Sequence, residues 1–400
     1  MKQVSCDFLI IGAGIIGVSV AAELKVRYPE TKIILLEKEP AIGLHASGRN
    51  SGVLHAGFYY TSDSLKAKFT RTGNIQLTDF CESRKLKINK IGKLVVAQNE
   101  KDLLVLDELL KRAIDNDVPL HDIDEVEAKK IEPRVKTYQR ALYSPTTSTV
   151  DPIEVIKAMQ DDIVSQGVQI DFNVTYLKKD KQQILTTKGI YESNYLINAA
   201  GLYADKIAKN FGFSQNYRIL PFKGIYIYSN EQHGALATNI YPVPNLDNPF
   251  LGVHFTINVN GNIKLGPTAI PAFWREQYQG FSNFKINEFM ETLLFQSSLL
   301  YRSDFSFKKL AIEEIKKYYK PFLVKKAAAL VDGIESKNYK KWGKAGIRAQ
   351  LVNIKDKKME MDFILEGDKQ SMHVLNAVSP GFTCALPFSK YICDKIEELI

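Results

Sequence analysis

The chain has 400 residues, of which 45% are hydrophobic and 24% charged, and its formal net charge is +8. A chain of this length usually divides into at least two domains, and its composition is that of a globular protein rather than a disordered or fibrous one. The cysteines at positions 6, 81, 384 and 393 form no C-x-x-C pair and no cluster with histidine. This pattern argues against a structural zinc or iron–sulfur site, so we expect no metal and reduced thiols in a cytoplasm.

The N-terminal region shows no targeting segment. Its longest uncharged run, Phe8 to Ala22, has fifteen residues, fewer than the roughly 18 that a membrane-spanning helix needs. No small-residue cleavage site follows a basic start, and no arginine-rich leader precedes the first strand. We therefore expect a cytoplasmic protein.

The first predicted elements form a β-α-β unit with a G-x-G-x-x-G turn. The sequence DFLIIGAGIIGVSVAAEL predicts a strand over residues 7 to 11 and a helix to about Arg27, and KIILLE predicts a second strand over 32 to 37. The glycines permit a tight turn and close approach to a pyrophosphate, and the helix N-terminus offers N–H groups to it. An acid at the tip of the second strand can accept both ribose hydroxyls and disfavours NADP. The cofactor-binding residues predicted here are Gly12, Gly14, Ile16, Gly17, Glu37 and Lys38.

Residues 44 to 61, LHASGRNSGVLHAGFYYT, contain small, hydroxyl and amide residues but no aspartate, glutamate or lysine. Small residues let a backbone pass close to a pyrophosphate, which would repel a carboxylate. The β-α-β unit alone does not separate NAD from FAD. We call residues 44 to 61 the predicted cradle. It favours FAD over NAD, because the flavin half of FAD extends further along the protein. The predicted contacts are Ser47, Arg49, Asn50, Ser51 and Gly52.

A second β-α-β-like unit follows far along the chain. DPIEVIKAMQDDIVSQG predicts a helix, VQIDFNV a strand, and NYLINAAG a strand that leads into a helix from about Tyr203. The dinucleotide domain must therefore be assembled from separated segments. We expect the backbone of Val174 near the adenine, and Ala200 and Gly201 near the phosphates.

The intervening segments IYIYS, GVHFTINV and NIKLGPTAI are typical of antiparallel strands with one buried face. We predict an α/β plus α+β fold: an FAD-binding Rossmann-like domain with a parallel sheet, and an inserted antiparallel-sheet substrate domain. The FAD-binding domain is assigned residues 1–80, 146–215 and 341–400, and the substrate domain residues 81–145 and 216–340. On LGVHFT, His254 lies on the polar face and could line a pocket.

These motifs resemble those of the D-amino-acid-oxidase-like superfamily, and most closely those of the L-2-hydroxyglutarate dehydrogenase/oxidase family. The resemblance rests on SGRNSGVLHAGFYY (47 to 60), GIRAQ (346 to 350) and NAVSPGFT (376 to 383), and it extends over most of the chain except 281 to 344. It implies non-covalent FAD and oxidation of L-2-hydroxyglutarate to 2-oxoglutarate. It also implies that Arg348 faces the flavin or a substrate carboxylate. The flavin-ring edge is assigned to Pro380, Gly381, Phe382 and Thr383.

Oxidation of a 2-hydroxy acid moves a hydride from the α-carbon to flavin N5 while a base takes the hydroxyl proton. An unperturbed imidazole, with a pKa of about 6.5, suits that base. We predict that the base is His55, which follows the small-residue segment, with His254 as the second candidate. Arginine binds carboxylates with a planar fork, which makes Arg348 the first substrate anchor. The second anchor of a dicarboxylate is sought among Tyr59, Tyr60, Lys223 and Thr383.

Three other functions stay open: a flavin amine oxidase acting on an amino or imino acid, a flavin-dependent tRNA-modifying protein, and a non-enzymatic NAD sensor. The segment from Lys308 to Lys344 holds eleven lysines and four acids. It predicts a solvated helical face, with attraction to the anionic inner face of a membrane as the main alternative. Without interleaved arginines it does not favour nucleic acid. The electron acceptor, whether oxygen, a quinone or another protein, the preferred length of the hydroxy acid and the oligomeric state are not determined by the sequence.

Overall fold

The computed structural model describes residues 3–246, 250–301 and 307–400. Its helices are α1 (Ile15–Arg27), α2 (Leu65–Ser83), α3 (Glu100–Asp115), α4 (Glu125–Ile131), α5 (Pro152–Ser165), α6 (Ala204–Lys209), α7 (Ile286–Tyr301), α8 (Phe307–Lys316), α9 (Lys320–Ala327) and α10 (Ala385–Glu397). Its strands are β1 (Gln3–Ile11), β2 (Ile33–Glu37), β3 (Val53–Leu54), β4 (Ile88–Asn89), β5 (Lys93–Val96), β6 (His121–Asp124), β7 (Arg140–Ser144), β8 (Ser148–Val150), β9 (Gln169–Phe172), β10 (Tyr176–Asp180), β11 (Gln183–Thr186), β12 (Gly189–Asn198), β13 (Tyr217–Gly224), β14 (Ile227–Ser229), β15 (Asn239–Pro242), β16 (His254–Ile257), β17 (Ile263–Gly266), β18 (Ile270–Pro271), β19 (Tyr339–Trp342), β20 (Gly346–Asn353), β21 (Lys358–Met359), β22 (Leu365–Gly367) and β23 (Ser371–Val374).

The chain forms two compact units, each built from separated segments. Unit 1 comprises the residues up to Asn50, Pro152–Pro221 and Arg348–Ile400, and unit 2 comprises Ser51–Asp151 and Phe222–Ile347. The first boundary therefore lies at residue 50 and not at the predicted residue 80. The reason is that β3 pairs with β8 of unit 2, a long-range pairing that composition does not reveal. The FAD-binding and substrate roles assigned to the segments stay predictions.

Unit 1 is built on a mixed eight-stranded sheet whose central strands are parallel. The central strand β1 pairs in parallel with β12 and β2, β2 pairs in parallel with β9, and β12 with β23. Every residue of β2 is buried, as expected of a strand covered on both faces. Helix α1 packs on α5 and α10, and Arg27 at its end pairs with Asp394 at 2.6 Å and with Glu397 at 2.8 Å. The predicted α/β architecture is confirmed.

Unit 2 is organised by an eight-stranded, mainly antiparallel sheet in the order β19-β14-β17-β16-β15-β5-β7-β6. One face packs into a core that contains Leu94, Phe255 and Leu265 of the sheet and Leu323 of α9. Since side chains alternate along a strand, the residues between these apolar ones lie on the opposite face. That opposite face carries the polar side chains considered below.

The basic segment of unit 2 includes α8, α9 and β19. Lys308 and Lys309 are exposed, but so are Ile312 at 46%, Ile315 at 54% and Tyr319 at 67%. This surface therefore mixes lysines with apolar side chains, so the expectation of a plain solvated helical face is only partly met. Within the described ranges, no helix has both the length and the apolar character needed to cross a bilayer.

Candidate functional site

The glycine turn joins β1 to α1 in unit 1. Gly12 has a φ of +102°, and a Cβ atom there would lie 2.6 Å from the carbonyl oxygen of Ala199. A Cβ atom on Gly17 would lie 2.0 Å from the carbonyl oxygen of Gly12. Helix and strand therefore approach so closely that only glycine fits at either position. The same turn places the start of α1, with its free N–H groups, at the carboxyl end of the sheet.

Glu37 is held next to this turn at the end of β2. Its carboxylate accepts hydrogen bonds from Ala13 N at 3.1 Å and from Glu39 N at 3.0 Å, and its backbone oxygen accepts one from Val174 N at 2.9 Å. The side chain is 9% exposed. The backbone of Val174 is therefore beside the acid, and its contact with the adenine stays a prediction.

The start of α1 has the features of a phosphate site. Gly14 precedes the first turn of α1 and has no side chain that could cap the helix. A Cβ atom on Gly14 would lie 3.1 Å from Ser47 Oγ. Ile15 N donates to Ser47 Oγ at 2.9 Å, and Ile16 in the first turn is buried. A helix N-terminus lined by glycine backbone and one hydroxyl fits a pyrophosphate. The residues present thus fit the ADP half of FAD.

The rest of the predicted cradle is divided between the two units. Arg49 Nε donates to the oxygen of Leu44, and Asn50 Nδ2 donates to the oxygen of Ser47 at 2.8 Å. Both side chains thus shape their own loop, and their contacts with FAD stay predictions. Ser51 and Gly52 belong to unit 2, where Gly52 O accepts a bond from Val150 N at 2.8 Å.

His45 lies next to an acidic side chain that follows β2. Its Nε2 lies 2.8 Å from Glu39 Oε1 in unit 1. Lys38 Nζ contacts the same carboxylate at 2.7 Å and lies 5.6 Å from the centre of the Tyr203 ring. Lys38 and His45 therefore form one surface ion-pair group beside the end of β2.

The segment after β12 also reaches the glycine turn. A Cβ atom on Gly12 would lie 3.1 Å from Ala200 Cα, and Ala200 N donates to Asn198 Oδ1 at 3.2 Å. Gly201 follows with a φ of +52°. The structure therefore brings the two predicted phosphate-side segments together within unit 1.

The C-terminal motif forms a tight turn at the start of α10. Gly381 N donates to Val378 O at 2.8 Å and Cys384 N donates to Pro380 O at 3.0 Å. Within this turn Thr383 is 1% exposed, and Phe382 is half-buried.

Asn376 ties this turn to the strand that carries Arg348. Leu351 N of β20 donates to Asn376 Oδ1 at 3.2 Å, and Arg348 on the same strand is half-buried. The sequence analysis quoted Asn376 in a motif but assigned it no role, although a buried amide in an apolar run signals such a tie.

His55 follows β3 in unit 2 and its backbone is held firmly. Asn74 Nδ2 of α2 donates to the oxygens of Leu54 at 3.1 Å, His55 at 3.2 Å and Thr146 at 3.2 Å. Burial lowers the pKa of His55 to about 3, with a further contribution from the charge of Lys93. The expectation of an unperturbed imidazole is therefore not met, because tertiary packing removes the ring from water. The ring is nevertheless neutral at pH 7, as a base must be.

His254 lies on the polar face of β16, as the alternation of LGVHFT predicts. Its ring stacks on Tyr241 with the ring centres 3.7 Å apart and an interplanar angle of 15°. Its Nδ1 lies 2.7 Å from Gly252 O. A carbonyl oxygen only accepts hydrogen bonds, so Nδ1 carries a proton and Nε2 is the basic nitrogen of the neutral ring.

Two buried lysines on this face were missed from the sequence. Lys264 Nζ donates to Ser51 O at 2.6 Å, and burial lowers the pKa of Lys264 to about 8. Burial also lowers the pKa of Lys93 to about 7. Their sequence signal was a lone lysine inside an apolar strand, in GKLVVA and NIKLGP.

The remaining substrate candidates of unit 2 lie on a loop and on β13. Helix α3 holds the loop, since Arg112 Nη1 donates to Tyr59 O at 2.9 Å and Asn116 Nδ2 donates to Tyr60 O at 2.9 Å. Lys223 on β13 is buried, which lowers its pKa. The candidates that the structure places in unit 2 are His55, Tyr59, Tyr60, Lys223 and His254, and those that it places in unit 1 are Arg348 and Thr383.

The sequence is similar to known proteins over almost its whole length. The family profile described as FAD dependent oxidoreductase matches residues 7–395. L-2-hydroxyglutarate dehydrogenase from Escherichia coli K12 is 33% identical over 98% of this chain and 94% of its own length. The mitochondrial L-2-hydroxyglutarate dehydrogenase from Homo sapiens is 33% identical over 98% of this chain and 89% of its own length.

Solved structures share the fold at lower identity. L-alpha-glycerophosphate oxidase from Mycoplasma pneumoniae, solved with FAD bound, has a TM-score of 0.76 and 23% identity over 99% of this chain and 95% of its own length. Glycine oxidase from Geobacillus kaustophilus has a TM-score of 0.74 and 17% identity over 99% of this chain and 96% of its own length.

Replacing Glu37 with alanine should weaken FAD retention by about 1.5 to 3 kcal/mol, the value of hydrogen bonds to a charged group. The variant loses the carboxylate that is predicted to accept the ribose hydroxyls. The measurement is titration of the apoprotein with FAD, followed by quenching of flavin fluorescence. Glu192→Ala is the matched control, because Glu192 lies on β12 opposite Ser5, far from the turn. Equal FAD affinity in the Glu37 variant and the wild type would contradict the assignment.

Proposed function

Because this chain belongs to the family of FAD-dependent oxidoreductases, with L-2-hydroxyglutarate dehydrogenases among its full-length relatives, we propose that it oxidises L-2-hydroxyglutarate to 2-oxoglutarate. The observation that carries this proposal is 33% identity over 98% of the chain to enzymes of that name. The geometry that supports it is a neutral, buried His55 in unit 2 and, within unit 1, a glycine turn and an acid that fit FAD.

FAD, when bound, supplies the acceptor for the hydride of the α-carbon. The glycine turn, Ser47 and Glu37 would hold its ADP half. The chain must also remove the hydroxyl proton, and we assign that step to His55. Asn74 Nδ2 donates a hydrogen bond of 3.2 Å to the backbone oxygen of His55. This bond holds in place the backbone that carries the imidazole. Geometry that is set before the substrate arrives is what general-base catalysis requires.

The low pKa of His55 has a consequence for catalysis. A base whose pKa is about 3 stays unprotonated but binds a proton weakly. A bound dicarboxylate adds two negative charges, and nearby negative charge raises the pKa of an imidazole. Substrate binding therefore strengthens the base at the moment when it is needed.

We assign one carboxylate of the substrate to Arg348, because its guanidinium group offers a planar fork of donors. His254, whose Nδ1 carries the proton, has Nε2 as its acceptor nitrogen, which makes it the second candidate for the base. A cationic amine substrate would instead favour an acidic group beside the reacting carbon.

The mixed surface of α8 and α9 supports a second proposal, a weak peripheral contact with an anionic membrane. Lysines near such a surface contribute about 1 kcal/mol each, and exposed Ile315 and Tyr319 are apolar side chains that can enter the interface.

The substrate is tested by anaerobic mixing. L-2-Hydroxyglutarate should bleach the visible absorbance of the flavin and yield 2-oxoglutarate. The D enantiomer should do little, because it cannot present its hydroxyl to the base and its α-hydrogen to the cofactor in the same pose. Faster bleaching by glycine, sarcosine or a D-amino acid would replace this proposal with an amine oxidase.

His55→Ala should retain FAD but reduce it about 10²- to 10⁴-fold more slowly, the range for loss of a general base. His45→Ala is the control, since His45 contacts Glu39 at 2.8 Å and should change neither property. Stopped-flow absorbance measures both. A wild-type rate in the His55 variant would transfer the role of base to His254.

The pH profile of the wild type is a further readout of His55. In the protein without substrate the pKa of His55 is about 3, so the ring stays neutral as the pH falls from 7 to 5. The second-order rate constant for flavin reduction should therefore not decline over this range. A decline with a midpoint near 6.5 would indicate an ordinary imidazole and contradict the burial of the base.

The membrane contact is tested by sedimentation with lipid vesicles. The protein should pellet with vesicles of phosphatidylcholine and phosphatidylserine but not with phosphatidylcholine alone, because the lysines need anionic headgroups. The double variant Lys308→Gln, Lys309→Gln should pellet less, while Lys355→Gln, Lys357→Gln in unit 1 should behave as the wild type. Absence of wild-type protein from both pellets would rule the contact out.

A further inference from the structure

Lys93 lies on an interior strand of the eight-stranded sheet in unit 2. It begins β5, and its neighbours across the sheet are Asn239 of β15 and Ser144 of β7. The side chain is 0% exposed, and within the described part of the chain its Nζ has no hydrogen-bond partner. A buried ammonium without an acceptor is strongly unfavourable, so its presence calls for a functional reason.

Three aromatic rings surround the ammonium. Its Nζ lies 4.4 Å from the ring centre of Tyr59, 4.5 Å from that of Phe58 and 4.9 Å from that of Tyr241. Such cation–π contacts offset part of the desolvation cost, but a ring face cannot replace the hydrogen bonds that the ammonium has lost. We call Lys93 and these three rings the lysine cage.

The lysine cage lies among the groups assigned to the chemistry. Tyr241 stacks on His254 at 3.7 Å, and Phe58 and Tyr59 follow His55 closely in the same loop. The charge of Lys93 also lowers the pKa of His55, which requires the two groups to be near one another. The cage thus adjoins both histidines.

A second polar group in the cage is also unsatisfied. Tyr59 Oη is buried and has no hydrogen-bond partner among the described residues. An ammonium and a phenol hydroxyl of the same cage are therefore both buried without a hydrogen-bond partner among the described residues. A lysine with a purely structural role would extend its charged end to water.

We propose that Lys93, assisted by Tyr59, binds the carboxylate of the substrate that is remote from the reacting carbon. This assignment rests on the proposed oxidation of a 2-hydroxy dicarboxylate. A carboxylate brings the negative charge and the acceptor oxygens that both donors lack. The aromatic walls suit the methylene groups that separate the two carboxylates. Neither residue takes part in the reaction. Their role is to select substrates that carry a second carboxylate.

Access to the ammonium requires one ring to move. Tyr59 is 8% exposed, whereas Phe58 is 0% and Tyr241 is 1% exposed. Rotation of Tyr59 would uncover Nζ and aim the phenol at the same carboxylate. Its backbone can stay in place, because Arg112 Nη1 holds the oxygen of Tyr59 at 2.9 Å.

Binding of a carboxylate to Lys93 would also change the pKa of His55. When a carboxylate neutralises Lys93, the positive charge that lowers the pKa of His55 is cancelled. The base is then strengthened by a dicarboxylate but not by a 2-hydroxy acid that ends in a methyl group. A monocarboxylate should accordingly be oxidised more slowly even when it is bound.

The test compares glutarate with pentanoate, two non-reacting acids that differ in the second carboxylate. Their binding to the FAD-loaded protein is followed by the change in the flavin spectrum. The wild type should prefer glutarate, and Lys93→Met should lose roughly 10- to 100-fold in glutarate affinity while pentanoate affinity is unchanged. Lys341→Met, at an exposed position of β19, should alter neither.

Thermal unfolding separates this role from a structural one. Methionine keeps the length of the side chain but removes an unpaired buried charge, so Lys93→Met should melt at the same or a higher temperature than the wild type. Equal losses of affinity for both acids together with a lower melting temperature would assign Lys93 to the core and overturn the proposal. Retained preference for glutarate in Lys93→Met would overturn it as well.

The wild type alone gives an independent measurement. Since the pKa of Lys93 in the free protein is about 7, glutarate affinity should fall as the pH rises above 7, and pentanoate affinity should not follow. The same trend for both acids would contradict the anchor. If L-2-hydroxyglutarate failed to reduce the flavin while Lys93 still controlled the glutarate preference, the proposed substrate would be wrong and the anchor would stand.

Discussion

Desolvation of ionisable groups on one face of the eight-stranded sheet governs the chemistry of unit 2. Lys93 and Lys264 would be charged in water at pH 7, and burial lowers the pKa of each toward neutrality. The same burial lowers the pKa of His55 to about 3. Burying these groups without partners costs free energy. A bound dicarboxylate would supply negative charge and so offset part of this cost. The burial of these groups thus supports the recognition of an anion that is proposed for unit 2.

Unit 1 is subject to a different constraint, the close approach of backbone segments around the glycine turn. At Gly12 and Gly17 a single added carbon would meet backbone within 2.6 Å and 2.0 Å. The bonds that Glu37 accepts from Ala13 and Glu39 then fix its carboxylate beside the turn. Rigid backbone donors and one oriented acid suit a large cofactor that stays bound, since little conformational entropy is lost when it binds.

The buried lysines show where reasoning from sequence stops. An isolated lysine in an apolar strand, as in GKLVVA, is read as an edge or solvent position because buried lysines are rare. Only the pairing of β5 with β7 and β15 places Lys93 on an interior strand of the sheet. The histidines were found from their sequence context, but their protonation depends on which distant residues exclude water from them.

Local pattern determined much of this protein from the sequence by itself. The glycine turn, the acid at the end of β2 and the polar face of His254 follow from fixed spacings, because the geometry of a turn or a strand is a property of neighbouring residues. The tertiary structure alone decided that unit 2 begins at Ser51, that Asn74 holds His55 and that three rings enclose Lys93. These features join residues far apart in the chain, and desolvation and ring contacts exist only after those residues have packed together.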